Sequence, residues 1–302
     1  MKSKFQIIKN FKIFGIISCI LCIVGIVSLI ALPFGKNFFN LSIDFAGGTE
    51  MEFNMHAAVT PDMKGEIADL FKEATGVDGT VVEAGSGVNQ QAIIRSTSID
   101  TDKRSAVIEA MKTKFNLTDD DLYNNEDVSA SVGNDLKTAA FISAILAAIL
   151  MMIYIAIRFE FTSGLAAVVC LLHDLFVMLS FYVIFQVQMD QNFIAAALTI
   201  LGYSINASII VFDRVRENLR VARKEPFEDV AERSVWQTMG RTINTTVTTL
   251  LTVGMVFILG VPSLRNFTLP LIIGIVSGAY SSIFLSASLW GKFRKIFRRR
   301  HA

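Results

Sequence analysis

Charged residues are scarce in this chain. Lys, Arg, Asp and Glu make up 18% of its 302 residues, against about a quarter in ordinary soluble domains. Hydrophobic residues make up 52%, and a disordered chain is excluded because so much apolar surface has to be buried. An ordinary soluble enzyme is therefore not expected.

Cysteine and recognisable catalytic motifs are also scarce. The three cysteines, Cys19, Cys22 and Cys170, lie in apolar stretches, so we expect structural thiols and neither a disulfide framework nor a metal site. Ser204 lacks the Gly-x-Ser-x-Gly context of a hydrolase nucleophile, and no nucleotide-binding motif is visible. We therefore predict a protein that is not an enzyme, without catalytic residues, cofactor or nucleic-acid partner. Any work it does would be driven by an ion gradient or by a partner protein.

Six long runs with few or no charges dominate the chain. About 20 apolar residues in a helix cross the about 30 Å of membrane hydrocarbon, so these runs predict six transmembrane helices. The first is expected to be an uncleaved anchor, because its apolar run is longer than a signal-peptide core and no clear cleavage site precedes Lys36. The predicted helices cover residues 13–35, 138–157, 161–189, 191–212, 242–264 and 266–291.

Positive charge is concentrated in three segments. Residues 1–12, 213–241 and 292–302 are rich in Lys and Arg, and the positive-inside rule places such segments in the cytoplasm. Segment 36–135 then lies outside, where it carries 8 Lys and Arg against 18 Asp and Glu, a net charge of −10. We therefore predict that both termini and the loop 213–241 are cytoplasmic.

The outside segment has the pattern of one small α+β domain. Thr60, a typical N-cap, precedes Pro61 and an apolar stripe at helical spacing, and a second helix is expected over 103–115. A Gly-Ser-Gly sequence at 85–87 is expected to form a hairpin turn. The order β-α-β-β-α-β predicts a ferredoxin-like layer of two helices on an antiparallel sheet. The four strands are expected over residues 49–55, 80–83, 91–95 and 124–132.

Ionisable residues inside a span are functional candidates, because each costs about 2.5–3.5 kcal/mol to insert at mid-membrane. His173 and Asp174 lie near the centre of the third span. Adjacent residues on a helix point about 100° apart, so we expect these two to face different neighbours. A proton or cation relay and polar contacts between helices are both open interpretations.

Polar residues also mark the fourth and fifth spans. Asn206 sits among small residues that allow close helix approach, and it is expected to hydrogen-bond across helices. Asp213 and Arg214 follow at the cytoplasmic end, where a surface ion pair and a functional role both remain open. Arg241 precedes a threonine-rich stretch that predicts an interior-facing or water-lined helix.

Several motifs together make the chain similar to a known family. They are IDFAGGT at 43–49, Arg158-Phe159, His173-Asp174, LGYSINASIIVFDRVREN at 201–218, QTMGRTI at 237–243 and GAYSS at 278–282. On these motifs the chain resembles the SecD/SecF family of bacterial protein-export membrane proteins. Within that family it resembles the smaller subunit. The family motif positions that the resemblance implies are Asp44, Gly47, Gly48, Gly202, Tyr203, Ser204, Arg214, Tyr280 and Ser281.

The resemblance implies a fold, a location and partners. The fold is one six-helix half of a resistance-nodulation-division (RND) transporter with an extracytoplasmic ferredoxin-like domain, in the bacterial cytoplasmic membrane. The implied partners are SecD, the SecYEG channel, SecA, YajC, unfolded precursor proteins and the lipid bilayer. The implied function is to assist Sec-dependent export with the proton or sodium motive force. The alternative is a half-size RND exporter of small molecules or lipids.

One position departs from the family pattern. Many family members have Asp directly after the Asn of the Gly-Tyr-Ser-x-Asn motif, where this chain has Ala207. We hypothesise that SecD supplies the acidic group of the ion pathway from a facing helix, beside Arg241 and Asn206. The alternative is that His173 and Asp174 form the relay within this subunit.

Overall fold

The computed structural model describes residues 6–84, 90–158, 160–222, 224–260 and 262–300. It divides into a helical unit, Met1–Asn40 with Ala140–Ala302, and an α+β unit, Leu41–Ala139. The helices are α1 (Phe11–Ala31), α2 (Ile43–Ala46), α3 (Pro61–Thr75), α4 (Thr101–Phe115), α5 (Ala130–Arg158), α6 (Phe161–Ile184), α7 (Gln191–Val221), α8 (Phe227–Leu259), α9 (Pro262–Tyr280) and α10 (Ala287–Arg300). The strands are β1 (Gly48–Asn54), β2 (Thr80–Ala84), β3 (Gln91–Ser96) and β4 (Leu122–Val128).

Six helical stretches of the described residues are long and apolar enough to cross a membrane, which confirms the six predicted spans. The sixth stretch is continuous, because a π-helical turn at Ser281–Ser286 joins α9 to α10. The stretches are Phe11–Phe34, Ala130–Ile155, Phe161–Ile184, Gln191–Val221, Phe227–Leu259 and Leu264–Phe297.

The segment expected as a cytoplasmic loop, 213–241, is helical over most of its length. α7 continues to Val221 and α8 already begins at Phe227. Polar contacts join the two extensions, as Asn218 Nδ2 donates to Ser234 Oγ at 2.8 Å. Apolar composition marks only the part of a helix that crosses hydrocarbon, so the charged ends of α7 and α8 were wrongly assigned to a loop.

Other helix bounds also differ from the prediction. α5 begins at Ala130, eight residues before the predicted start at 138, and α10 runs on to Arg300. α6 ends at Ile184 instead of residue 189, because Gln186 adopts a left-handed φ of 50° and its side chain donates to Val183 O at 2.7 Å.

Close packing in the helical unit brings α1 against α6. A Cβ on Gly25 would lie 2.6 Å from the backbone oxygen of Phe176, so only glycine fits at this crossing. The Gly25 N–H also donates to Ser180 Oγ at 2.8 Å. About one turn earlier in both helices, Cys22 Sγ lies 3.6 Å from His173 O, so α1 also passes beside the predicted ionisable pair.

The α+β unit is a four-stranded sheet covered by two helices. The strand order is β2-β3-β1-β4 and every neighbouring pair is antiparallel. As predicted, Thr60 Oγ1 accepts the Met63 N–H at the start of α3, with Pro61 at the first helical position. The predicted turn at 85–87 lies outside the described residues. The core side chains come from β1, β3, α3 and α4, and include Met51, Phe53, Ile67, Phe71, Ala92, Ile94, Val107 and Met111.

The strands and the two longer helices follow the predicted order, and the largest change of an end is in the last strand. The last strand stops at Val128 instead of continuing to residue 132, because Ala130 begins α5. Since Met51 and Phe53 alternate along β1 and both enter the core, one face of the sheet is apolar and packed on the helices. The unit therefore buries its own core.

Candidate functional site

The Asp174 carboxylate lies buried in the middle of α6, and four donors surround it. Oδ1 is 2.6 Å from Ser277 Oγ and 2.9 Å from His173 Nδ1. Oδ2 accepts from Ser204 Oγ at 2.5 Å and from Ser281 Oγ at 2.9 Å. A carboxylate has about four acceptor positions, so this one is saturated by groups from α6, α7, α9 and the π-helical turn. We call these five residues the Asp174 cluster.

His173 and Asp174 bond to each other, which makes the expectation that they face different neighbours wrong. The angle of about 100° between adjacent residues describes the Cα–Cβ directions, whereas rotation about the side-chain bonds brings Nδ1 back to the carboxylate. Three serine hydroxyls, all buried, supply the remaining contacts that tie α6 to α7 and α9. The pair therefore takes part in polar contacts between helices, and it also consists of two ionisable side chains.

The two ring nitrogens of His173 have different surroundings. Nδ1 is the nitrogen that contacts the Asp174 carboxylate, at 2.9 Å. Its other nitrogen, Nε2, is buried and has no hydrogen-bond partner among the described residues. The ring stacks on that of Tyr280, with centroids 5.8 Å apart, and Tyr280 Oη donates to Phe14 O at 2.8 Å. His173 Nε2 is thus the one position of the cluster that remains open to a proton or a polar ligand.

The sequence prediction missed Ser277. Ser204 and Ser281 belong to family motifs, but nothing in the motifs singles out which further serine of the last span faces α6. The available signal was the density of serines around GAYSS. The π-helical turn that begins at Ser281 adds a residue to one helical turn, and such turns occur often at functional sites.

The other candidates are exposed and take no part in the hydrogen bonds described for the Asp174 cluster. They are Asn206, Asp213 and Arg241. Exposed polar positions on α7 and α8 form a surface that we call the α7/α8 polar face. Tyr203 Oη links the two helices by donating to Thr249 Oγ1 at 3.4 Å. The face consists of Gly202, Asn206, Arg241, Asn244 and Thr248.

The threonine-rich start of the fifth span is exposed in part, although an interior-facing helix was one expectation. Thr248 Oγ1 donates to Asn244 O at 3.0 Å, and Thr245 Oγ1 donates to Arg241 O at 2.9 Å. Such bonds to the preceding turn satisfy the hydroxyls within the helix itself. Thr245 and Thr248 therefore present methyl groups and satisfied hydroxyls outward, whereas Thr242 and Thr246 are buried.

The ion pair of Arg214 is not with its neighbour Asp213. Arg214 Nη1 contacts Glu217 Oε2 at 2.6 Å, and Arg214 Nε donates to Gln237 Oε1 at 2.7 Å. Residues three apart share a helix face, which explains the choice of Glu217. Arg214 thereby joins α7 to α8 beyond the apolar part of both helices.

The Gly47-Gly48 pair forms the turn between α2 and β1. Gly47 has φ 74° and a Cβ there would lie 2.9 Å from Ala130 Cα. Gly48 has φ 126° and a Cβ there would lie 2.2 Å from Ser96 O. Ahead of them, Ser42 Oγ accepts the Asp44 N–H at 3.2 Å and caps α2. Both glycines are therefore required by backbone angle and by space.

Comparisons with known proteins agree with these features. The model of the family "Protein export membrane protein SecD/SecF, C-terminal" matches residues 107–296. The "SecD/SecF GG Motif" matches residues 39–59, which contain the glycine turn.

The matched relatives are protein translocase subunits. The SecF of Acidaminococcus fermentans is 37% identical over 98% of this chain and 99% of its own length, and that of Alicyclobacillus acidocaldarius is 35% identical over 85% and 83%. The SecDF of Bacillus subtilis is 35% identical over 83% of this chain and 34% of its own.

A solved structure has the same fold. The crystal structure of SecDF from Thermus thermophilus, described as a translocon-associated membrane protein, superposes with a TM-score of 0.83 at 26% identity. The match covers all of this chain and 39% of that longer one. The chain belongs to the SecD/SecF family of protein-export membrane proteins.

Proposed function

We propose that this chain is the SecF-type subunit of a SecD–SecF assembly, a non-enzymatic accessory to protein export through SecYEG and SecA. YajC is a further member of the assembly, and unfolded precursor proteins are its cargo. The SecF relatives support this proposal over nearly their whole length. The SecDF relatives support the partner, because the region matching this chain makes up 34% and 35% of theirs.

The proposed setting is the bacterial cytoplasmic membrane, with both termini in the cytoplasm and the α+β unit outside. The basic segments support this orientation through the positive-inside rule. The sheet order β2-β3-β1-β4 supports a ferredoxin-like classification for the outside domain.

The α7/α8 polar face is the observation that carries the proposal of a membrane partner. Asn206 and Asn244 are exposed within stretches that are apolar enough to span a membrane. Exposed amide groups lose their hydrogen bonds to water in hydrocarbon, and an arginine such as Arg241 is still more costly there. Helices of SecD that cover this face would supply polar partners and remove both penalties.

Ion coupling at this face is the mechanism we propose. Ala207 leaves α7 without a carboxylate next to Asn206, so a SecD carboxylate beside Arg241 and Asn206 would bind and release the coupling ion. An arginine near such a carboxylate favours its charged form and lets ion binding depend on the distance between the two helices. Binding and release of the ion would thus change the distance between the two helices, and the outside domains would move as a result.

One secretion experiment tests the proposal and its alternative. Replacing Arg241→Met should reduce export of a reporter precursor to the level of cells lacking the chain, while SecD still co-purifies. Arg233→Met is the matched control, because Arg233 lies on the same helix in an exposed ion pair with Glu225, and it should leave export unchanged. Retained export in Arg241→Met cells would refute the mechanism.

A second arm addresses the Asp174 cluster. Asp174→Asn keeps the shape of the side chain and removes its charge. If the coupling carboxylate belongs to SecD, export should fall only modestly in this variant. Complete loss of export in Asp174→Asn, together with normal export in Arg241→Met, would assign the relay to His173 and Asp174 instead.

A further inference from the structure

The chain passes between its two units twice. The first passage is at Asn40–Leu41, in the non-helical segment after α1, and the second lies within α5, where Ala139 belongs to the α+β unit and Ala140 to the helical unit. α5 is a single helix over Ala130–Arg158. Because each turn of a helix is hydrogen-bonded to the next, α5 can carry a displacement from one unit to the other as a rod.

α5 is held at two points. Among its residues whose burial the structure describes, only Gly133 and Ile155 are buried. Gly133 lies in the first turn, within the α+β unit, and Ile155, at 0% exposure, belongs to the core of the helical unit. At about 1.5 Å per residue the two are about 33 Å apart along the helix axis. The start and the end of α5 are therefore each fixed in one unit, and the length between them is exposed or half-buried.

Backbone contacts join the first turn of α5 to α2 and the glycine turn. A Cβ on Gly133 would lie 2.8 Å from Phe45 O. From the other side, a Cβ on Gly47 would lie 2.9 Å from Ala130 Cα. The two backbones can approach this closely only because neither glycine carries a side chain. Gly133 is thus the counterpart of the glycine turn, although it lies outside the matched GG motif.

The sheet fixes the glycine turn to the strand that precedes α5. Gly48 pairs with Val128 in the β1–β4 ladder, and only Ser129 separates β4 from α5. Thr49 Oγ1 donates to Asp127 Oδ1 at 2.6 Å on the same pair of strands. The strand after the glycine turn and the strand before α5 are therefore hydrogen-bonded neighbours, and α5 starts directly from them.

We propose that Gly133 and the glycine turn form a joint that fixes α5 to the α+β unit, so that α5 and this unit move as one body. Gly133 acts as a positioning residue, because it sets how closely α5 approaches α2. A displacement of the α+β unit then tilts α5, and the tilt reaches the core of the helical unit at Ile155. This last step rests on the proposed function, which requires movement of the outside domain.

Distances between two spin labels test the joint in the purified full-length chain. The labels are attached at Asp69→Cys on α3 and Ser143→Cys on α5, two exposed positions, after Cys19, Cys22 and Cys170 are replaced by alanine. Residue 143 lies about 15 Å beyond Gly133 along α5, so a tilt of about 20° at the joint would move it by about 5 Å. Gly133→Ala should shift or broaden the distance distribution by that amount, because the added methyl group and Phe45 O cannot both keep their places.

Gly65→Ala is the matched control for this measurement. Gly65 is also a helical glycine, but nothing lies within 4 Å of a Cβ built there, so the distance distribution should stay as it is in the labelled parent protein. An unchanged distribution in Gly133→Ala, or an equal change in Gly65→Ala, would overturn the proposal.

Hydrogen exchange tests the joint without any substitution, so misfolding of a variant cannot decide the outcome. The amides of residues 134–137 donate to the carbonyls of residues 130–133 at the start of α5. If the joint holds, these amides open together with the sheet, and their exchange rates should lie within about tenfold of those of the β4 amides. A helix end that frays on its own exchanges far faster than a sheet, and this result would contradict the joint.

An export assay separates the joint from the proposed function. Gly133→Ala should lower export of the reporter precursor while SecD still co-purifies, and Gly65→Ala should leave export unchanged. Normal export in Gly133→Ala, together with a shifted label distance, would refute transmission through α5. Failure of the proposed function would appear instead as normal export in Arg241→Met, with the label distances and exchange rates unaffected.

Discussion

Gly48 and Gly65 show what a single residue position in the α+β unit can require. Gly48 has φ 126° and no room for a Cβ, whereas Gly65 lies within α3 and nothing lies within 4 Å of a Cβ built there. Glycine is therefore needed at the first position and unfavourable at the second, because glycine in a helix costs about 1 kcal/mol relative to alanine.

We expect opposite effects from alanine at these two positions. Gly48→Ala should lower the free energy of unfolding of the α+β unit by about 3 kcal/mol, since the backbone angle and the clash with Ser96 O both add strain. Gly65→Ala should raise it by about 0.5–1 kcal/mol. Hydrogen exchange of the β1 and β3 amides in the full-length protein measures both. Equal protection in the two variants would contradict the assigned backbone geometry.

Single residues differ in how far the sequence alone can single them out. Asp174 was chosen from the residues themselves, because an intramembrane carboxylate has few explanations, whereas the glycine pair was chosen through the family motif. Ser277 was not identified, since a serine on a membrane helix is common and its role depends on which way the helix is turned. The His173–Asp174 bond was missed because it depends on side-chain rotation.

At the scale of elements, the short 3-10 turn Asp119–Asp121 is tied to the loop after β1. The Asp121 carboxylate accepts from the Thr118 N–H at 2.8 Å, from Thr118 Oγ1 at 2.7 Å and lies 2.5 Å from His56 Nε2. These hydrogen bonds from Thr118, followed by the contact with His56, lower the pKa of Asp121 below its ordinary value.

This lowered pKa predicts an acid-sensitive turn. A carboxyl group whose pKa is lower in the folded state stabilises that state above its unfolded pKa, and the contribution is lost as pH falls through the folded pKa. Exchange protection around β4 should therefore fall between about pH 5 and about pH 2. Asp121→Asn should remove part of that pH dependence. Asp120→Asn, which alters an exposed neighbour, should leave it intact.

Element types were more predictable than element ends. The apolar runs predicted six helices and the strand patterns predicted the four strands, because burial imposes periods on the sequence. The ends of α7 and α8 were missed because charged residues form helices as readily as apolar ones once a neighbouring helix supplies contacts such as Asn218 to Ser234.

At the scale of the whole molecule, two kinds of exposed surface occur among the membrane-crossing helices. α5 exposes large apolar side chains such as Ile149 and Leu150, which are suited to lipid. The α7/α8 polar face exposes amides and an arginine, which are suited to a protein partner. We therefore expect α5 to contact lipid and the α7/α8 polar face to contact a protein partner.

Photo-crosslinking distinguishes these surfaces. A crosslinking amino acid at Asn206 or Asn244 should join the chain to SecD in membranes, because our proposal places SecD helices over both positions. The same amino acid at Ile149 is the control and should give crosslinks to lipid. Crosslinks to SecD from position 149 alone would show that the partner covers α5 instead.

The π-helical turn at Ser281–Ser286 has a consequence for how the gene can change. It lies between Ser277, which reaches the Asp174 carboxylate, and Trp290, which is wedged between Phe212 and Phe227. If the same residues were wound as an ordinary α-helix, the extra residue of the turn would rotate α10 by about 100° relative to α9. Either the serines or the indole would then leave its place. The extra codon and the π-helical turn that accommodates it are therefore expected to be inherited together, and a one-codon deletion in this stretch is expected only where ordinary winding replaces the turn.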